Sequence, residues 1–357
     1  MVNKHLRRRL RKKAQETEQQ FNWIFILIIG ALILAFFAYI VLKQKAASEI
    51  KLAVTIAKQL NTILTGAKLS SGTFQDIPIP ETTIRFACND YFIGDVGQRL
   101  GNRILFAPNF VEGNRIFTWT LDWNVPFKVS SFLYVTTPFV RYVIVPSVAD
   151  ESQLLAKRLN STLPAKINRE LVADVDLPNV ANLNDKRVRI VIIQGLPAVS
   201  APSIPQALAN VEASALVIDP AQRKVQFYEK LGAVLAPVGA PIDYLDDESL
   251  FGALFTESRE EYECSMNKAY DRLNSASKIY AKKFVLISNN YVGTACEGFY
   301  KGPGLVESPE QQGNQDLLSL VALTTATPVD VQKISESVQN LINTNTKLQL
   351  NSCPLLF

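Results

Sequence analysis

The chain has 357 residues, 48% of them apolar and 20% charged, and a formal net charge of +4. That apolar fraction excludes collagen-like, purely coiled-coil and disordered chains, and the length suggests one to three domains. The single His is His5, so everything after it lacks Ser-His-Asp and Cys-His pairs and any His-ligated zinc or iron.

Residues 1–20 carry seven Lys/Arg (Lys4, Arg7, Arg8, Arg9, Arg11, Lys12, Lys13) and two acids (Glu16, Glu18), which leaves 30 basic and 31 acidic residues for the rest. The basic character belongs to this tail. A near-neutral body gives no support for a nucleic-acid partner.

From Phe21 to Leu42 the chain runs 22 residues without a charge. As a helix it would be about 33 Å long, enough for the hydrocarbon core of a bilayer. Trp23 and Tyr39 stand near its ends, where aromatic rings favour the headgroup level. The excess of Lys/Arg before the span predicts a cytoplasmic N-terminus, with residues 43–357 outside the cell. A cleaved signal peptide is the rival reading. The apolar run is longer than a signal h-region, and Lys43-Gln44-Lys45 follows it directly.

The organisation expected is a tail (1–20), a transmembrane helix (21–43), a helical stalk (44–66), a β-rich segment (67–137), an α/β domain (138–290) and a C-terminal segment (291–357). In the stalk, Ile50, Ala53, Val54, Ala57, Leu60 and Leu64 fall at helical spacing. The stripe would dock on the chain's own domain or on a second copy. Thr65-Gly66 predicts the end of the helix, with a linker at Ser70-Ser71-Gly72. Period-two patterning then sets in. It is clearest at Ile116–Val125, where Phe117, Trp119, Leu121, Trp123 and Val125 alternate with polar residues and read as the core face of a half-buried strand. Asn109–Asn114 reads as a hairpin loop before it.

Short apolar runs at 142–145, 188–193 and 215–218 predict strands covered on both faces. A helix is expected near 151–159, and Asp219-Pro220-Ala221-Gln222 reads as a turn into a hairpin strand at 224–229. Together these suggest an α/β layer of Rossmann-like or flavodoxin-like outline with an antiparallel edge, so the fold class is α+β. Asp246-Asp247-Glu248 reads as a helix start. A long helix at 258–284 carries the stripe Tyr262, Met266, Ala269, Leu273, Ala276 and Tyr280. Thr327-Pro328-Val329-Asp330 opens a last amphipathic helix through Val331, Ile334, Val338 and Leu341.

All four cysteines (Cys88, Cys264, Cys296, Cys353) follow the span, on the side expected to be oxidising. Three pairings exist, and Cys264–Cys296 with Cys88–Cys353 is the one favoured. Cys264 sits about 200° round the helix from its apolar stripe, so it should bond a segment laid over the outer face.

Motifs for chemistry are sparse. The chain has no GxGxxG, no P-loop and no GxSxG, and Gly302-Pro303-Gly304 reads as a turn. Ser-x-x-Lys occurs at Ser48, Ser265 and Ser275, each inside an expected helix. Asp174-Val175-Asp176 begins like a calcium loop but lacks its Gly and closing Glu. Gln194 and Asp219 end strands, where α/β folds often place sites. Asn160-Ser161-Thr162 is a glycosylation sequon. No catalytic, cofactor-binding or metal-binding residue is assigned.

Two resemblances complete the reading. Lys12-Lys13-Ala14-Gln15 ahead of an apolar helix is similar to the processing site of archaeal type IV pilin and archaellin precursors, with six polar residues, Gln15 to Gln20, between the cut that the resemblance implies and the apolar run. FNWIF at 21–25, Tyr-Glu-Cys at 262–264, ACEGFY at 295–300 and SCP at 352–354 resemble archaeal single-pass membrane proteins of unassigned activity. The expected role is a membrane-anchored extracellular interaction or scaffolding protein of the cell envelope. Its expected partners are membrane lipid and either a second copy or another envelope protein. The alternatives are a pilin-like filament subunit and an anchored surface hydrolase using carboxylates.

Overall fold

The computed structural model describes residues 3–69, 71–183, 185–196, 202–232, 234–300, 309–326 and 328–357. The turn expected at Gly302-Pro303-Gly304 and the helix start at Thr327 lie outside these. The chain divides into two compact units at Thr55/Ile56. Helix α1 (Asn3–Leu69) belongs to both. It is the one helix among the described residues long and apolar enough to cross a membrane, over Phe25–Gly66, and large apolar side chains such as Trp23, Phe25, Leu34, Phe37 and Leu42 are exposed on it.

The second unit starts with the docked end of α1. Ile56, Ala57, Leu60 and Leu64 are buried, and the Tyr91 hydroxyl donates to the Ala57 carbonyl at 2.8 Å. The stripe therefore packs on the chain's own body at this end. The helix runs past Gly66 to Leu69.

The first sheet comprises β1 (Phe74–Phe86), β2 (Asp90–Ile93), β3 (Val96–Arg99), β4 (Ile104–Phe106), β5 (Phe110–Asn124) and β6 (Lys128–Thr136), in the order β3-β2-β1-β5-β6-β4. Only the β4–β6 pairing is parallel. Phe117, Trp119 and Trp123 enter the core as their alternation requires. Fully burying one large apolar side chain contributes about 1.5–3 kcal/mol. The opposite residues Thr118 and Thr120 are buried too, paired with Val135 and Leu133 of β6. The strand is thus covered on both faces there, not half-buried.

Residues 110–114 are not a loop, and only Asn109 stays outside the strand. Phe110, Val111, Glu112 and Gly113 continue β5 and pair with Arg85, Ile84, Thr83 and Thr82 of β1. Gly113 makes this possible. Its φ is 127°, and a Cβ there would lie 2.5 Å from the Phe139 ring. Glycine here marks close approach within a strand rather than a turn.

The second sheet comprises β7 (Val140–Pro146), β8 (Arg169–Leu171), β9 (Arg187–Ile193), β10 (Glu212–Asp219), β11 (Lys224–Leu231), β12 (Val234–Pro237) and β13 (Ile242–Asp243). Its order is β12-β11-β10-β9-β7-β8, with β13 on β11. β8, β7, β9 and β10 are mutually parallel, and β11 and β12 form the antiparallel edge. One face joins the core of the first sheet through Tyr142, Ile144, Val191, Ile193, Leu216 and Phe227. Helices α2 (Asp150–Thr162), α3 (Asp247–Phe255) and α4 (Arg259–Asn290) supply side chains to the same core. The other face is covered by Leu177, Val180 and Leu208, carried on or beside two 3₁₀ turns, Asp174–Asn179 and Gln206–Leu208. Buried Arg189 of β9 crosses the layers. It donates to the carbonyls of Ala215, Ala253 and Thr256, the last two at the C-terminal end of α3, where a cation is favoured.

Helix α4 buries Tyr262, Met266, Ala269 and Leu273 of the expected stripe, with Ala276 and Tyr280 packed beside them. Short α5 (Glu297–Tyr300), α6 (Pro309–Leu323) and α7 (Val331–Leu350) follow. Asn274 of α4 donates to the Val321 carbonyl of α6 at 2.8 Å. Asp330 caps α7, accepting from the Lys333 amide.

All four cysteines are in disulfides, but the pairing is Cys88–Cys264 and Cys296–Cys353. This corrects the expected Cys264–Cys296 and Cys88–Cys353. Cys264 does face away from the stripe of α4, but the segment over it is the β1–β2 turn, and Lys268 one turn further on donates to the Cys88 carbonyl. Cys353 is turned back at the end of α7, where Ser352 adopts φ 53°, and the Tyr300 hydroxyl donates to the Pro354 carbonyl. The last residues are thereby laid against α5 and Cys296.

Candidate functional site

Gln194 and Asp219 lie where β9 and β10 end, at the carboxyl edge of the parallel strands. Asp219 is buried, and its two oxygens accept from the backbone amides of Leu196 (2.8 Å) and Gln222 (3.0 Å). It organises the turn instead of offering a free carboxylate. That turn carries Arg223 at φ 54°, a left-handed position uncommon for a residue with a Cβ. The Arg223 carbonyl accepts from the Tyr244 amide at 2.9 Å, which holds the turn against the segment after β13. Its guanidinium reaches toward the Ser335 hydroxyl of α7, at 3.5 Å.

Between the turn, β13 and α7 opens a cleft of about 630 Å³, lined by Arg223, Lys224, Asp243, Tyr244, Glu336 and Gln339 among others. Lys224 and Asp243, register partners on β11 and β13, form an ion pair at 2.7 Å in one wall. Burial raises the Tyr244 hydroxyl above its ordinary value, so it stays protonated. The cleft therefore offers charges of both signs, side-chain amides and a phenol. These suit a polar partner surface, and no nucleophile–base pair is assembled from its lining. The turn was legible in the sequence, but the cleft was not, because its far wall comes from α7, over one hundred residues later.

The acidic run at 246–248 serves α3. Asp246 is the N-cap, accepting from the Ser249 amide at 2.8 Å and the Trp123 indole at 2.7 Å, and the Ser249 hydroxyl completes a capping box. Burial raises the Asp246 carboxyl, and burial together with Asp246 pushes Glu248 up to about 7. The Ser-x-x-Lys sites form no dyad. Ser265 donates to the Leu105 carbonyl while Lys268 turns to Cys88, Ser275 bonds the Asp271 carbonyl of its own helix, and Ser48 is exposed on α1. Asp174 and Asp176 are exposed on a 3₁₀ turn. Asn160 lies in α2 and accepts from Arg169 Nε through both its carbonyl (3.0 Å) and its Oδ1 (2.9 Å). Among the described residues no three His, Cys, Asp or Glu side chains gather as a metal-binding group.

These features define an α+β protein with, among the described residues, one apolar helix long enough to span a membrane, and a body cross-linked by two disulfides. Compared with models of protein families, with curated proteins and with solved structures, the chain matches none.

Proposed function

We propose that this is a bitopic envelope protein, with residues 1–20 cytoplasmic and residues 43–357 extracellular, that acts as an interaction or scaffolding module. One observation carries the reading: every cysteine lies beyond the apolar helix, and all four are joined in pairs. Disulfides persist in oxidising compartments, and the Lys/Arg excess before the span agrees in direction. The α7 cleft is the surface assigned to the partner, a second copy or another envelope protein. Membrane lipid surrounds the span. In the larger sheet the order β8-β7-β9-β10 supports a flavodoxin-like outline for the parallel strands.

The test has two stages. An impermeant amine-reactive label applied to intact cells should modify exposed lysines such as Lys157. A photo-cross-linking residue at Gln339 should then give a specific adduct that is lost on Arg223→Glu and is not formed from position 157. Protection of the body from the label removes the compartment, and indifference of the adduct to Arg223→Glu removes the cleft.

A pilin-like filament subunit is the second reading. It is favoured by α1, whose apolar part continues unbroken into a part that packs on the β-sheet. N-terminal sequencing of the mature chain separates the two, since a start at Gln15 supports the filament and an intact tail opposes it.

A further inference from the structure

At the amino-terminal ends of β9 and β10 the core-facing surface of the second sheet turns polar. Register and side-chain alternation place Arg187 and Arg189 of β9, Glu212 and Ser214 of β10, and Glu229 of β11 on this surface, with Ser214 directly between Arg189 and Glu229. Asn109 and Phe110 approach from the first sheet and Glu257 from the segment after α3. Together they enclose a pocket of about 290 Å³, near the lower end of the range for small-molecule sites.

The cations here are already engaged. Arg187 is ion-paired with Glu257 at 3.0 Å. Lys230 donates to the carbonyls of Ala209 and Val211. Arg189, behind the lining, donates to three backbone carbonyls. What remains open in the lining includes several acceptors, the Ser214 hydroxyl being able to donate as well. Glu212 and Glu229 have no ion pair among the described residues. Among the described residues Asn109 Oδ1 and Ser214 Oγ are buried with no hydrogen-bond partner, and Ser214 as a whole is only 7% exposed. Buried polar atoms are seldom left unpaired, so two lining one pocket call for an occupant.

We infer that this inter-sheet pocket binds an aliphatic ammonium ion, whose N–H groups satisfy Asn109 Oδ1, Ser214 Oγ and the carboxylates of Glu212 and Glu229. The ion is either a free small amine or the lysine side chain of a partner protein. Phe110, 38% exposed and with the Arg187 guanidinium over its ring, supplies apolar surface for the ion's methylene groups.

The test is calorimetric titration of the full chain in detergent with 1,5-diaminopentane, with Nα-acetyl-lysine amide, and with uncharged 1,5-pentanediol. Saturable binding of either amine without binding of the diol is expected. Binding of the diamine alone identifies a free ligand, and equal binding of the lysine derivative identifies a partner's side chain. Glu212→Gln and Glu229→Gln, both at exposed positions, should each weaken binding about fivefold, on the scale of a partly exposed charge pair. Ser214→Ala should weaken it less, and each variant should keep the thermal midpoint of the parent within a few degrees. No saturable amine binding, equal binding of the diol, or affinity indifferent to both carboxamide variants overturns the inference.

Discussion

Arg141 of β7 and Asp185 form an ion pair at 2.9 Å with their side chains only 1% and 3% exposed. The same guanidinium donates to the Ala181 carbonyl at 2.6 Å and reaches Glu170 of β8 at 3.3 Å. It thereby pins the loop before β9 to the edge of the parallel strands. Removing one partner from such a pair leaves a buried charge uncompensated, at a cost of about 3–5 kcal/mol. Asp185→Ala should therefore lower stability by about that much in chemical denaturation. Arg141→Met combined with Asp185→Leu should cost much less than the sum of the single changes.

Arg189 gives a second prediction. Arg189→Lys should behave like a loss and not a conservative change, because one ammonium cannot reproduce a guanidinium fork that spans the Ala215, Ala253 and Thr256 carbonyls. A fall of about 2–4 kcal/mol is expected from the carbonyls left unpaired, read as a lower thermal midpoint with unchanged far-ultraviolet circular dichroism in the cold.

Peptide mapping without reduction should recover Cys88 with Cys264 and Cys296 with Cys353. The first bond spans 176 residues and the second 57. In the chain-entropy model they stabilise by about 5 and 4 kcal/mol. Replacing both members of the first pair with Ser should lower the denaturation midpoint more than replacing the second pair.

Glu248 sets a pH dependence. Its ordinary value is 4.5, and in the folded state burial and Asp246 raise it to about 7. Between those values the native state binds more protons than the unfolded chain, so this group's contribution falls as pH rises from about 4.5 to 7 and is level above. Glu248→Gln should flatten that part of the stability curve. It should raise the thermal midpoint at pH 8 relative to the parent and leave it nearly unchanged at pH 4.

Local pattern made much of the fold legible, and its failures share one cause. The capping run at Asp246, the Asp219 turn and the stripe of α4 are each written in a few adjacent residues, and each forms as its local chemistry dictates. The direction of Cys264 was equally local, but its partner depended on which distant turn lay over α4. Residues 109–114 carry Asn and Gly and look like a loop, yet Gly113 is required by the Phe139 ring, a contact no local window contains. Helix α6 went unseen because its polar first half, PEQQGNQD, hides a short stripe that includes Leu317, Leu320 and Leu323. The ammonium pocket was invisible for the same reason, since Arg187, Ser214 and Glu229 come from three strands and meet only through their register.

The two disulfides close separate rings, 88–264 and 296–353, one after the other along the chain and not one inside the other. The first ring contains most of both sheets. Tension applied from outside it passes through the Cys88–Cys264 bond and cannot extend the residues between. About 600 Å of contour length, at roughly 3.4 Å per residue, is thereby withheld from mechanical stretching. A tethered body built in this way keeps its reach short under load for as long as that one covalent bond holds.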